Sequence, residues 1–417
     1  MSWPLKPVSE LCEFAIDCVN KTAPVVDVAT PYKMIRTTNV KGGFIDVLEV
    51  RHVSKDTFEK WTRRSRPRYG DVVLTREAPV GEVGRCTFSD DENIFLGQRL
   101  FHYRPNPDVL DWNYLAYILQ SPEVQGRFHG RSFGATVPHV KVADAESLLI
   151  PCPPLDVQKK LGTVLANYDD LIATNQRRIT LLEDAARRLY REWFVHLRFP
   201  GHESVAVKDG VPKDWQLLTM GDVCNAVGGG TPSTARPDYW GGDVVWVTPT
   251  DVTRNDFLVL LDSEKKITQS GLANSSAKLV PSDTILMTSR ASIGFFALMD
   301  QPACTNQGFI SVLPNQANSR MFLLFNLLGR VEEMIGMATG ATFKEISKKT
   351  FRALPILWPT NELLQSFEGR VEQLIQQVRL IKKQTRQLAR ARDLLLPKLM
   401  SGQYDLSNIR LPEEIAT

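Results

Sequence analysis

"GATFKEISKKTFRALPI" runs from Gly340 to Ile356, and "GATVPHVKVADAESLLI" runs from Gly134 to Ile150. A phrase written twice in one chain of 417 residues raises an internal repeat, which has to be settled before any fold is assigned. The echo extends outward from these lines. Trp3, Leu5 and Cys12 in "WPLKPVSELC" recur at one constant offset as Trp215, Leu217 and Cys224 in "WQLLTMGDVC". At that offset "MIRTTNV" (34–40) lies over "WVTPTDV" (246–252). "VVLTREAPVG" (72–81) lies over "ILMTSRASIG" (285–294), and Gln98 pairs with Gln307. Slips of a few residues between blocks are what loop insertions produce. Blocks kept in one order make the chain a tandem duplication of a unit about half its length.

The length allows roughly two to four domains, each able to bury a core, and the composition is that of an ordinary soluble protein. A net charge of +3 is too mild to establish a polyanionic partner. Cys12, Cys18, Cys86, Cys152, Cys224 and Cys304 are scattered without a CxxC pair. Zinc and disulfide frameworks are therefore not expected, and a reducing compartment fits. With no apolar leader and no run of membrane-spanning length, a cytoplasmic protein is the expectation.

Each copy has the same two-part grammar. A mixed stretch comes first, with β-rich runs such as "DVVLT", "VVWVTP", "TILMT" and "FISVLP" and helical pieces such as "DWNYLAYILQ" and "MFLLFNLLG". A glycine-poor stretch with a different period follows. Leu161, Leu165, Tyr168, Ile172, Asn175, Ile179, Leu182, Ala186, Leu189 and Trp193 alternate spacings of four and three. Leu364, Phe367, Val371, Leu374, Val378, Ile381, Thr385, Leu388, Arg392 and Leu395 do the same. This is the 3.5-residue period of a coiled-coil seam, and two seams of equal length favour pairing with each other. Pro200 and Gly201 are expected to stop the first helix, and Pro397 and Gly402 the second. Asn175 and Thr385, the uncharged polar positions on the seams, are candidates for fixing register. Two similar heads on a rigid rod match a target with two half-sites, which B-DNA offers at one helical turn per ~34 Å.

Three stretches now become recognisable. "IPCPPLDVQKKLGTVLANYDDLIATNQRRITLLEDAARRLYREWFVHLRFPG" (150–201) resembles the central conserved region of type I restriction–modification specificity subunits. "LARARDLLLPKLMSGQYDL" (388–406) resembles their C-terminal conserved region, and "GGTPSTARPDYWGGDVVWVTPTDVT" (229–253) the opening of their target recognition domains. The resemblance covers essentially the whole chain in the family's order. It implies an α+β fold: two tandem-repeated target recognition domains of mixed α/β content, with two long helices forming an antiparallel coiled coil of pseudo-two-fold symmetry. The expected organisation is recognition domain 1 at 1–154, helix 1 at 155–198 and a linker at 199–213. Recognition domain 2 then occupies 214–359, helix 2 360–398 and a tail 399–417.

The resemblance also implies a non-catalytic subunit that recognises a split, asymmetric sequence in double-stranded DNA. Two modification subunits, methylating adenine with S-adenosylmethionine, would dock on it. Two restriction subunits can join, bringing ATP- and Mg-dependent translocation and cleavage. No cofactor is expected on this chain. A stand-alone two-headed DNA- or RNA-binding regulator is the alternative reading. The residues agree on the lack of catalysis: the sequence has no phosphate-binding GxxxxGK[ST] loop, no HExxH, no Asn-Pro-Pro-aromatic methylase signature and no histidines at metal-ligand spacing.

The candidates for DNA contact are polar and basic residues on turns. Arg36, Thr38, Asn39 and Lys41 in "RTTNVKGG", with Thr250 and Arg254 in the second copy, carry groups suited to phosphates and base edges. Their shared Thr-(Asn/Asp)-Val pattern equally suits a turn cap. Arg76 and Arg290, each just past a β-run, are placed to reach a guanine edge. Thr136 and Thr342 after the repeated glycines, then His139, Lys141, Lys344 and Lys348, are candidate phosphate contacts. The cluster of Arg63, Arg64, Arg66 and Arg68 reads as either a solvated face or a backbone-binding patch. Tyr190, Trp193, Phe194 and Phe199 exceed what a lone coiled coil covers, and are expected to form an exposed surface where modification subunits dock.

Overall fold

The computed structural model describes residues 3–131, 139–340 and 342–403. The described chain falls into two compact units. One comprises the residues up to Ile172 together with those from Gln387 onward, and the other is Ala173–Arg386.

In the first unit a four-stranded antiparallel sheet has the order Cys12–Asp17, Leu100–Pro105, Val72–Thr75, Val83–Arg85. Val72–Thr75 is buried at all four positions, which explains the apolar run Val72-Val73-Leu74. A three-stranded sheet places Lys33–Ile35 between Arg51–His52, which is antiparallel to it, and Ile94–Leu96, which is parallel. The helix Trp112–Gln120 starts where the Asp111 side chain accepts a hydrogen bond from the Tyr114 amide at 2.8 Å. Leu5–Pro7 pairs with Leu149–Pro151 and closes the recognition domain where its helix begins.

The second unit repeats this plan. Its five-stranded sheet has the order Cys224–Gly228, Phe309–Pro314, Ile285–Thr288, Phe296–Met299, Val259–Leu260. Trp240–Val247 lies between antiparallel Lys265–Ile267 and parallel Ala303–Thr305, matching the first unit strand for strand. Gln216–Thr219 pairs with Pro355–Trp358 as Leu5–Pro7 does with Leu149–Pro151.

The two seams form the long helices Leu155–Tyr190 and Asn361–Met400. All twenty seam positions named from the sequence are buried or half-buried. In the first unit Leu161, Leu165 and Ala166, early in one helix, share a core with Leu395, Leu396, Leu399 and Met400, late in the other. In the second unit Tyr190 and Trp193, late in the first helix and in the turn that follows it, meet Phe367, early in the second, with ring centroids 6.2 and 5.8 Å apart. This is antiparallel order. The first helix ends in one wider turn, Arg191–Val195, and Gly201 then takes φ +83°. Pro397 does not stop the second helix but lies inside it, while Gly402, at φ +70°, does end it. A proline so near a C-terminus removes one helical hydrogen bond without ending the last turn, and its own carbonyl still accepts from the Ser401 amide at 3.0 Å.

Candidate nucleic-acid interface

Each unit gathers four loops into one rim, and the same backbone hydrogen bonds hold both rims. In the first, the Gly97 amide donates to the Ile35 carbonyl at 2.8 Å, Arg76 to Arg99 at 2.8 Å and Val140 to Arg76 at 3.0 Å. In the second, Asn306 donates to Val247 at 3.1 Å, Ser289 to Gly308 at 2.8 Å and Ile346 to Ser289 at 3.0 Å. The turn after the strand is pinned identically: the Glu82 and Phe295 amides donate to the hydroxyls of Thr75 and Thr288, both at 2.9 Å. The first rim brings together the stretches around Arg36–Lys41, Arg76–Glu82, Gln98–Arg99 and His139–Lys141, and the Thr37 hydroxyl donates to the Ala78 carbonyl at 2.9 Å.

These equivalences keep the alignment of the sequence blocks, with Arg76 at the place of Ser289 and Glu77 at the place of Arg290; Glu77 is bridged to the next loop at His139 and Arg290 at Glu345. One residue of shift at a strand end reverses the face a side chain takes. Arg76 therefore points inward. It is 9% exposed, donates through Nε to the Val140 carbonyl at 2.9 Å and pairs with Asp17 at 2.5 Å. A buried, paired guanidinium is part of the domain's frame and does not reach a base. Arg290 is on the surface, with a loose 3.8 Å contact to Glu345.

The Thr-(Asn/Asp)-Val echo resolves to a cap. The Asn39 side chain accepts from the Arg36 amide at 3.0 Å and donates to the Glu49 carbonyl at 2.9 Å. Asp251 accepts from the Thr248 amide at 2.7 Å and from the Glu264 amide at 2.8 Å. Buried Asn39 thus holds its own turn, leaving Thr38, Lys41, Thr250 and Arg254 beside the caps, with Arg36 half-buried. Thr136, with Gly134, lies outside the described residues. Lys141, Thr342, Lys344 and Lys348 are exposed and His139 is half-buried. In the arginine cluster Arg66 is committed to the Asp90 and Glu92 carbonyls, whereas Arg63, Arg64 and Arg68 make no such carbonyl bonds among the described residues. Sequence reasoning used Gln98 and Gln307 only as evidence of the repeat, yet both sit on the rims beside Thr22 and Thr231. Their recurrence among loops that otherwise diverge was the available signal.

Arg392, the charged position on the second seam, is paired: its Nη1 donates to Asp169 at 2.6 Å, and Asp169 is 1% exposed. Tyr117, kept protonated by burial, donates to the same carboxylate at 2.5 Å. The expected exposed aromatic surface is instead core. Tyr190, Trp193 and Phe199 are 6–7% exposed, and half-buried Phe194 packs edge-on against Phe322 and Phe367 at 4.8 and 4.9 Å. The apolar helix Arg320–Leu328 of the recognition domain supplies the missing cover, so these four residues offer no docking face. Asn175 is buried, and the Thr385 hydroxyl donates within its own helix to Ile381 at 2.8 Å.

Basic residues of the second helix also bind the recognition domain. Arg379 pairs with Asp283, Lys383 with Asp300 at 2.7 Å, and Lys382 donates to Asn255 and the Val259 carbonyl. Glu183 accepts from the Leu258 amide at 2.7 Å and Glu368 from the Met321 amide at 2.7 Å. Burial pushes both carboxyls up to about 7 and Lys382 down to about 8. Burial likewise pushes the Cys12 and Cys224 thiols up to about 12, which makes them poor nucleophiles at neutral pH. Among the described residues no group of three His, Cys, Asp or Glu is placed to hold a metal ion, and no helix is long and apolar enough to cross a membrane.

The family model for the type I restriction modification DNA specificity domain matches the chain twice, at residues 7–184 and 212–390. The HindI specificity subunit of Haemophilus influenzae is 22% identical over 400 residues, covering 80% of this chain and 86% of that one. The MjaIX specificity subunit of Methanocaldococcus jannaschii is 34% identical over 154 residues, about a third (36%) of either chain. The crystal structure of a type I restriction–modification S subunit from M. genitalium shares the fold, with a TM-score of 0.61 at 18% identity and 96% coverage of both chains.

Proposed function

Because the chain belongs to the type I restriction–modification DNA specificity family, we propose that each of its recognition domains reads one half of an asymmetric, two-part DNA site. The long helices set the gap between the halves. Two modification subunits assemble on this chain and methylate adenine with S-adenosylmethionine, and two restriction subunits can add ATP- and Mg-dependent cleavage. This chain supplies recognition, and its partners supply the chemistry.

The observation that carries the reading is one rim built twice on one set of backbone bonds, with different side chains on it. Glu77 in the first copy stands where Arg290 stands in the second. Identical frames give two readers of one kind. Divergent side chains give them different targets, since base edges are distinguished by donor and acceptor pattern. Exposed lysines beside the rims, such as Lys41, Lys344 and Lys348, suit phosphate contacts that position without specifying. Sequencing of methylated adenines in the host, with the gene intact and deleted, tests the proposal. Loss of one asymmetric two-part motif on deletion is the expected result, and an unchanged methylation map in a strain that expresses the protein rejects it.

A further inference from the structure

The two rims differ at most exposed positions, which makes a side-chain pair that they share among the described residues informative. In the first unit the Thr22 hydroxyl donates to Gln98 Oε1 at 3.3 Å. In the second the Thr231 hydroxyl donates to Gln307 Oε1 at 2.5 Å. Each glutamine is fixed by the loop around it. Gly97, just before Gln98, is bonded to Ile35 and has no room for a side chain, since a Cβ there would meet the Ile35 carbonyl at 2.9 Å. Asn306, just before Gln307, is bonded to Val247 and accepts from the Gly308 amide at 2.9 Å. Gln98 is half-buried and Gln307 exposed, and neither amide nitrogen has a hydrogen-bond partner among the described residues.

A pair that only tied two loops together would be replaceable by any contact, as the neighbouring positions of the rims have been. What persists is a planar amide with its oxygen steered by a hydroxyl and its nitrogen left free. That oxygen keeps a lone pair, so the amide still presents an acceptor and a donor side by side. The pattern matches the N6 amino group and N7 of adenine in the major groove. We propose that Gln98 and Gln307 are the specificity-determining residues common to both domains, each reading an adenine in its own half-site, with Thr22 and Thr231 as positioning residues. The proposal rests on the preceding reading of the domains as DNA readers. It predicts an A·T pair at corresponding places in two otherwise different half-sites.

The test is single-molecule sequencing of methylated adenines in cells expressing the full complex with Gln98→Leu, Gln307→Leu or Gln98→Glu. Gln98→Leu should relax one position of one half-site, lowering discrimination there by roughly 5- to 150-fold, while the other half and the spacing stay as they were. Gln307→Leu should do the same in the opposite half. Gln98→Glu, which only accepts, should move the preference from adenine toward cytosine. Thr22→Val should relax the same position as Gln98→Leu, to a smaller extent. If Gln98→Leu fails to assemble, Gln98→Asn keeps the amide one methylene short and should give the same relaxed position. An unchanged motif with normal methylation overturns the proposal, as does a uniform loss of methylation at an unchanged motif, which marks a purely structural pair. Absence of any gene-dependent two-part motif in the wild type would instead overturn the underlying reading of the domains.

Discussion

Asp169 to Asn is the substitution with the largest effect that can be worked from the structure. The carboxylate is 1% exposed and accepts from Arg392 at 2.6 Å and from Tyr117 at 2.5 Å, with Arg85 Nη2 at 3.7 Å. Asparagine keeps the shape and removes the charge. Arg85, 2% exposed, then loses its buried counter-charge but keeps Asp170 at 3.6 Å and Asn113 at 3.0 Å. Breaking a buried pair by removing one partner costs about 3–5 kcal/mol, and the surviving partners of Arg85 place this case near ~3 kcal/mol. For a domain of this size that corresponds to a melting temperature lower by about 6–12 °C. Calorimetry of the full chain measures the shift in the transition that involves the first unit. A double-mutant cycle with Arg392→Met should return a coupling of about 1–3 kcal/mol. A shift under about 2 °C, or additive single substitutions, would refute the argument that this triad fixes the recognition domain to its helices.

Other consequences are equally measurable. Glu183 and Glu368, at about 7 when folded against 4.5 ordinarily, keep protons that the unfolded chain has released. Stability should therefore fall as pH rises from about 4.5 to 7, by up to about 1.4 kcal/mol per pH unit for each group. Lys382, lowered to about 8 from 10.5, acts oppositely, so stability should recover between those values. Denaturant titrations across pH should show this minimum between 7 and 8, and Glu183→Gln should flatten its acid limb. Gly229→Ala should destabilise by about 1–3 kcal/mol, because the new Cβ would meet the Asn306 carbonyl at 2.1 Å; an unshifted melting curve would show that the rim gives way freely. Replacing Lys344, Lys348 and Lys349 together by Gln should reduce the slope of log affinity against log salt by about 0.9 for every phosphate that these lysines neutralise, with the recognised sequence unchanged. A changed motif with an unchanged slope would assign these lysines to base reading.

What the sequence made legible was periodic or repeated. The 3.5-residue seams became the long helices, and the block order of the echo became two sheets of matching topology. The turn-cap reading of Asn39 and Asp251 was open because Asn and Asp bond locally, within three residues. What the local patterns could not show came from distance and from parity. Arg392 finds Asp169, and Phe194 finds Phe322, across stretches of chain that no local pattern connects. Arg76 and Arg290 look alike in sequence, yet a single residue of strand register turns one inward and the other outward. The aromatic excess near Trp193 was correctly seen as needing cover, but the cover lies in the same unit, in the helix Arg320–Leu328.

The central claim is that the chain holds two independent readers on one frame. Its most direct test exchanges residues 1–154 for the corresponding segment of a relative with a different specificity, followed by sequencing of methylated adenines. One half of the motif should change, with the other half and the gap preserved. A motif altered in both halves, or one that survives the exchange intact, would contradict it.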